Sequence, residues 1–149
     1  TKFRYRLESM TETVGQLDYI PPVFSFPDME EIDPRLWKSL ITRIIQETEY
    51  EIVLLDLTEQ VHGLFSILEM CENIFCCHGN DGLALAKIQQ YENLLGYIKK
   101  NTILEHTKKC NLPVFREVPY QAALFTHSQL ADYVKKIMKE TEMDFDGKL

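Results

Sequence analysis

The run Tyr50-Glu51-Ile52-Val53-Leu54-Leu55-Asp56-Leu57 constrains the fold more than any other stretch of this chain. Its apolar centre, Ile52 to Leu55, is continuous and does not alternate with polar residues, so neither face of an extended strand there suits water. Such a run fits a strand covered on both sides, as in a parallel sheet with helices above and below. The flanking sequence agrees. Upstream, Asp33 is placed to cap a helix and Pro34 to open it, since an N-cap carboxylate accepts from the first amides and proline has no amide to leave unpaired. Leu36, Trp37, Leu40, Ile41, Ile44 and Ile45 then recur at spacings of three and four, the stripe of an amphipathic helix ending near Thr48. Downstream, Thr58 to Met70 carries Val61, Leu64, Phe65, Ile67 and Leu68 and reads as a second helix, and Ile74-Phe75-Cys76-Cys77 reads as a second short buried strand.

The pattern continues in both directions. Leu17-Asp18-Tyr19-Ile20 reads as a strand stopped by Pro21 and Pro22, which lack backbone donors, with a loop following through Ser25-Phe26-Pro27-Asp28. After Ile74 to Cys77, the turn residues His78-Gly79-Asn80-Asp81-Gly82 lead into a long helix from Leu83 to Lys100, with Leu83, Ala86, Ile88, Tyr91, Leu94, Leu95 and Ile98 as core candidates. A shorter helix is expected around Thr102 to Lys109. Leu112 to Pro119 reads as a strand closed by proline, and Ser128 to Glu140 as an amphipathic helix with Leu130, Tyr133, Val134 and Ile137 inward. Strands alternating with long helices predict an α/β fold, doubly wound, with a largely parallel sheet and helices on both faces. Its strands should end at Ile20, Leu57, Cys77 and Val118, and Ile52, Val53, Leu54, Ile74 and Phe75 should be almost fully buried. Ligands in such sheets bind beyond the carboxyl ends of the strands.

Composition narrows the function classes. The 149 residues make one ordinary domain, expected over 1–141 with a frayed tail at 142–149, and 45% apolar with 26% charged residues is a globular balance. A net charge of -7 argues against direct DNA binding, which depends on clustered Lys and Arg. Lys99-Lys100, Lys108-Lys109 and Lys135-Lys136-Lys139 sit near predicted helix ends, where cations offset the helix dipole. With no long apolar span and no signal-like amino terminus, a cytoplasmic location is expected. Cys71, Cys76, Cys77 and Cys110 contain no CxxC pair and read as reduced, packed thiols. The chain opens at Thr1 without methionine and is expected to be part of a longer polypeptide.

The strand from Tyr50 to Leu57, then Gly63-Leu64-Phe65, then Met70-Cys71-Glu72-Asn73-Ile74-Phe75, resembles the Walker-B-like strand and following segment of ParA/MinD-type ATPases. Leu17-Asp18-Tyr19-Ile20-Pro21-Pro22 and Leu112-Pro113-Val114-Phe115-Arg116-Glu117-Val118-Pro119 resemble the branch related to the pilus-assembly proteins TadZ and CpaE. The resemblance covers roughly residues 15 to 140 through the order and spacing of short motifs. It implies a partial P-loop NTPase-like fold, the carboxy-terminal portion of a nucleotide-binding domain. In that family the aspartate ending this strand supports magnesium and the attacking water, a role that falls on Asp56, with ATP and Mg²⁺ as cofactors. Pro119 and Tyr120 match the loop near the adenine. Read alone, Asp56 is first a strand-end acceptor for local amides, and only the resemblance puts the metal role level with it, while Tyr120 is first a half-buried residue of a proline-ended strand. Glu59 could hold a water or be a solvated residue of a helix's first turn.

This sequence departs from the family in two ways. Leu57-Thr58-Glu59-Gln60 stands where a proline and glycine switch segment is usual. No glycine begins G-x-x-x-x-G-K-[ST], whose amides and lysine hold the phosphates. The resemblance therefore implies a nucleotide-regulated positioning or pilus-assembly factor that does not turn over ATP by itself. Its partner would be the missing amino-terminal half of the domain or another protein, with a homodimer as the regulated state and any membrane reached only through a partner. The alternatives are a non-catalytic α/β interaction domain on a degenerate NTPase scaffold and a receiver-like or flavodoxin-like domain. The last lacks the expected acidic pair and late-strand lysine.

Overall fold

The computed structural model describes residues 1–22 and 31–140, leaving aside the side chain of Ala122. The loop expected through Ser25 to Asp28 and the tail expected at 142–149 lie outside the described residues. The chain is a mixed α/β protein whose described strands form two small sheets, one antiparallel and one parallel. It divides into two units, Thr1–Ile74 with Asn101–His106, and Phe75–Lys100 with Thr107–Leu149.

The first unit opens with α1 (Lys2–Met10), whose cap is Thr1: its side chain accepts from the Arg4 amide. The sequence reading missed this helix, although the Arg4–Glu8 pair at i and i+4 is a helical signal. Next comes a hairpin of β1 (Glu12–Val14) and β2 (Leu17–Tyr19), in which Val14 faces Leu17 across the two-residue turn Gly15-Gln16. Gly15 has φ +64, a left-handed conformation that two-residue hairpin turns require and glycine adopts without strain. Leu17 to Ile20, expected in a parallel sheet, is thus the second arm of an antiparallel hairpin. The local turn decides its partner before any distant strand can.

Helix α2 (Pro34–Glu47) forms as expected, with Asp33 as N-cap, Pro34 at its start and Thr48 as C-cap. The Arg35 guanidinium forks onto the Asp33 carboxylate, and this contact with the Arg35 amide holds that carboxyl down to about 2. Ile41 is buried, while Trp37 and Leu40 are half-buried. Helix α1 is tied to the end of α2 by Thr1 Oγ1 donating to Glu47 at 2.7 Å and by the Arg43 guanidinium lying 4.0 Å from the Phe3 ring centroid. Helix α3 is short (Leu64–Leu68), where 58–70 had been expected to be helical throughout, and it buries Ile67 and Leu68. Ile103 of α5 (Asn101–His106) is fully buried in the same unit, and the His106 ring nitrogen bonds the Cys71 carbonyl at 2.9 Å.

Residues 51–57 correct the strongest strand expectation. They carry no strand ladder, and Ile52 and Leu54 are 40% and 76% exposed rather than buried. Exposure nevertheless alternates along the segment, with Val53, Leu55 and Leu57 half-covered between exposed Ile52, Leu54 and Asp56. Apolarity favours burial, but a strand exists only where another backbone takes its amides and carbonyls.

The second unit is built on β3 (Ile74–His78), which belongs to it from Phe75 onward, α4 (Gly82–Tyr97) and β4 (Thr107–Asn111). The Leu112 amide donates to the His78 carbonyl at 2.9 Å, which brings the carboxyl ends of the two strands together and makes the pair parallel. A parallel pair needs a long crossover, and α4 lies within it. On one face Lys109 Nζ of β4 meets Glu92 of α4 at 2.9 Å. Helix α7 (Gln129–Glu140) reaches the carboxyl end of β4 through the Tyr133 hydroxyl, which donates to the Asn111 carbonyl at 2.6 Å. Tyr133 also stands edge-on to Phe115, with ring centroids 6.1 Å apart. A short α6 (Ala122–Phe125) precedes α7, and Val134, expected inward, is exposed.

The last strand also falls elsewhere than expected. Residues 112–119 form no strand, consistent with Pro113 and Pro119 lacking donors, while Thr107–Asn111 is β4, although Thr107 to Lys109 is expected to end a helix. Pairing with β3 and the Lys109–Glu92 contact override the weak helical signal of this polar stretch. Of the two strand residues expected to be deeply buried here, Ile74 is buried and Phe75 is half-buried. Leu83 and Leu94 of α4 are 69% and 43% exposed, and Leu95 carries that helix's burial.

Gly63 is the more tightly packed of the first unit's two described glycines. Its φ is +81, and an added Cβ would overlap Pro34 Cβ and come within 2.8 Å of Pro34 Cγ. Gly63→Ala therefore combines left-handed strain with a clash and should cost roughly 2–4 kcal/mol. Gly15→Ala, with nothing within 4 Å, should cost only the conformational part, about 1–2 kcal/mol. Urea unfolding of the two variants checks this order.

Candidate functional site

In a parallel α/β unit the candidate site is the carboxyl end of the strands, here the turn from His78 to Asp81 beside Leu112. Two local bonds shape this turn. The His78 ring nitrogen Nδ1 lies 2.7 Å from the Gly79 carbonyl. A carbonyl can only accept, so Nδ1 carries the proton and Nε2 is the acceptor nitrogen of the neutral ring. Asp81 caps α4: its Oδ1 accepts from the Leu83 amide at 3.0 Å and from the Ala84 amide at 2.9 Å. The Ala84 amide, with lesser help from Leu83 and Lys87, holds the Asp81 carboxyl below its ordinary range.

That cap has a chemical consequence. A helix start with unpaired amides attracts phosphate, but here a carboxylate already takes two of them and adds a negative charge. Gly79 is packed closely as well, since a Cβ there would sit 3.1 Å from Asp81 Oδ2. The α4 end of the sheet is thus closed to an anion as it stands and accommodates donors or cations more readily. An aspartate followed by Gly82-Leu83-Ala84 is a legible N-cap signal, and the sequence reading took it only as a turn.

The residues singled out from sequence are distributed differently. Asp56 is exposed in the first unit, as is Glu59. Pro119, half-buried, and Tyr120, fully exposed, belong to the second unit. Among the described residues there is no group of three or more His, Cys, Asp or Glu side chains placed to hold a metal ion. One carboxylate at Asp56 is compatible with Mg²⁺ only where phosphates and waters supply the remaining oxygen ligands.

The first unit also contains a recess of about 270 Å³, lined in part by Arg4, Glu8, Asp18, Glu49 and Tyr50, that sequence reasoning did not find. Its polar groups are partnered among themselves, although Arg4 is the one cation among three carboxylates. Arg4 lies 3.3 Å from Glu8 and 3.7 Å from Glu49, and the Asp18 carboxylate accepts from Thr13 at 2.6 Å and from Tyr50 at 2.8 Å. Those two bonds, Thr13's the larger, hold the Asp18 carboxyl low, and the same carboxylate pushes the Tyr50 hydroxyl up. The recess reads as a brace between the hairpin and the start of 50–57.

No family model, curated protein or solved structure matches this chain. Among the described residues, no helix is long and apolar enough to cross a membrane.

The Asp81 cap supplies a pH test. A carboxyl depressed in the folded chain contributes stability that is fully present above its ordinary value of 3.8 and is lost as pH falls through the folded value. Asp81→Asn, which keeps an oxygen acceptor, should flatten the acid limb of the stability curve while changing neutral-pH stability little. Asp81→Ala should lower stability at neutral pH as well. Urea midpoints across an acid titration separate these outcomes.

Proposed function

We propose that this chain is the carboxy-terminal portion of a ParA/MinD-like nucleotide-regulated factor, in the branch related to TadZ and CpaE. Its role in this reading is to position or assemble a larger structure, pilus assembly being the process the resemblance implies. The supporting observation is the parallel pair β3 and β4 with helix α4 in its crossover, the unit from which doubly wound nucleotide-binding sheets are made. The motif order from Leu17 to Pro119 adds the family to that architecture.

In this reading Asp56 supplies the carboxylate for Mg²⁺, and Pro119 and Tyr120, of the other unit, are taken only as matching the family's loop near the adenine. The phosphates are held by a glycine-rich loop from another segment or chain, since this sequence has none. ATP would favour a dimer that recruits partners, and such proteins act in the cytoplasm. Hydrolysis by this chain alone is not expected, because amides and a lysine around the β and γ phosphates provide most of the transition-state stabilisation in P-loop enzymes.

A second reading is a non-catalytic interaction domain on the same scaffold. The Asp81 carboxylate at the start of α4 and the exposure of Val114 and Tyr120, 97% and 102%, favour it.

The readings part on Asp56. The purified chain should release no phosphate from Mg-ATP. In a longer polypeptide carrying the phosphate loop, Asp56→Asn should leave apo melting unchanged and abolish the Mg-ATP-induced shift, which at a hundredfold excess over Kd corresponds to about 2.7 kcal/mol. A lowered apo melting point with the shift retained would make Asp56 structural. No shift in the unsubstituted protein would favour the interaction domain.

A further inference from the structure

The register of the parallel pair sets two thiols side by side. In a parallel ladder a carbonyl bonds the amide one residue beyond its partner. The bond from the Leu112 amide to the His78 carbonyl therefore places His78 opposite Asn111 and, one step back on both strands, Cys77 opposite Cys110. The ends of the strands agree, since Ile74 and His78 stand the same number of residues before Thr107 and Asn111. Side chains opposite one another project from the same face.

Neighbouring strands lie about 4.8 Å apart, within the roughly 4.4–6.8 Å range of Cα separations that disulfides span. Both cysteines are free thiols, but their surroundings differ: Cys77 is exposed and Cys110 is 5% exposed. Burial first, then the neighbouring Cys77 and Cys76, push the Cys110 thiol up. Cys76 belongs to the opposite face, where Glu92 and Lys109 are its charged neighbours. The pair thus consists of an accessible sulfur and a sheltered one, and it owes nothing to the nucleotide reading.

We propose that Cys77 and Cys110 form a redox-modifiable pair, oxidised to an intramolecular disulfide by a small soluble disulfide such as glutathione disulfide. The exposed Cys77 thiolate attacks one sulfur of glutathione disulfide, forming a mixed disulfide and releasing one glutathione thiolate, which takes up a proton. The Cys110 thiolate then attacks the Cys77 sulfur, and the second glutathione leaves. The protein loses two protons and two electrons, and one glutathione disulfide takes them up to become two glutathione thiols. The new bond ties β3 to β4 at the carboxyl end of the sheet and restricts the unfolded chain between the two positions.

The test uses the full chain, incubated folded with glutathione disulfide, then alkylated and examined by intact mass and peptide mapping. The expected product has lost two hydrogens, contains one peptide joining Cys77 to Cys110, and melts several degrees higher until dithiothreitol reverses the change. Cys77→Ser, at an exposed position, should abolish both the crosslink and the melting shift. Cys110→Ser should stop at a single glutathionyl group on Cys77. A Cys76–Cys77 linkage, a disulfide-linked dimer, a stable glutathionyl adduct on the unsubstituted chain or an unreacted chain would each overturn the proposal.

Discussion

The second unit depends on the ladder between β3 and β4, and its terminal bond, from the Leu112 amide to the His78 carbonyl, joins the carboxyl ends of both strands and so marks direction and register. Parallel strands cannot be joined by a tight turn, so the intervening chain must travel back along the sheet, and helix α4 lies in that path. Register then decides which side chains meet. It sets Cys77 against Cys110 and puts Lys109 where it meets Glu92 on α4. A slip of one residue would exchange the faces of β4, moving Cys110 and Lys109 to opposite sides together.

The sequence was most legible where a signal is local. The bounds of helix α2 could be read almost to the residue, because Asp33 as cap and Pro34 as first residue act locally, but of its expected apolar stripe only Ile41 is buried and Leu36 and Ile45 are exposed. The strand at Ile74 was found for a similar reason, as a short apolar run between turn residues. The strand expectation for 50–57 failed because apolarity says that a segment gains from burial, not that a backbone partner is at hand. Leu17 to Tyr19 was right as a strand and wrong as to its sheet, since Gly15 closes a hairpin that pairs it locally. Thr107 to Asn111 is a strand only through its long-range pairing with β3, and nothing within its five polar and thiol residues announces that.

The candidate site was legible in place but not in chemistry. The carboxyl end of β3 follows from the α/β pattern, and the turn residues after Cys77 mark it. What the sequence reading did not resolve is that Asp81 spends its carboxylate on the Leu83 and Ala84 amides, turning an anion-attracting helix start into a neutralised one. Asp56 shows the opposite case. Its position at the end of an apolar run suggests a strand-end carboxylate, yet with no ladder under it the residue is simply exposed. A metal role for it therefore rests on oxygen ligands from phosphates and water.

The parallel register is the central claim, and through-hydrogen-bond scalar coupling between the Leu112 amide nitrogen and the His78 carbonyl carbon tests it most directly. A detectable coupling between these nuclei in isotope-labelled protein is the predicted result. Coupling from His78 to Thr107 instead, the partner an antiparallel arrangement would supply, would contradict the account and separate Cys77 from Cys110.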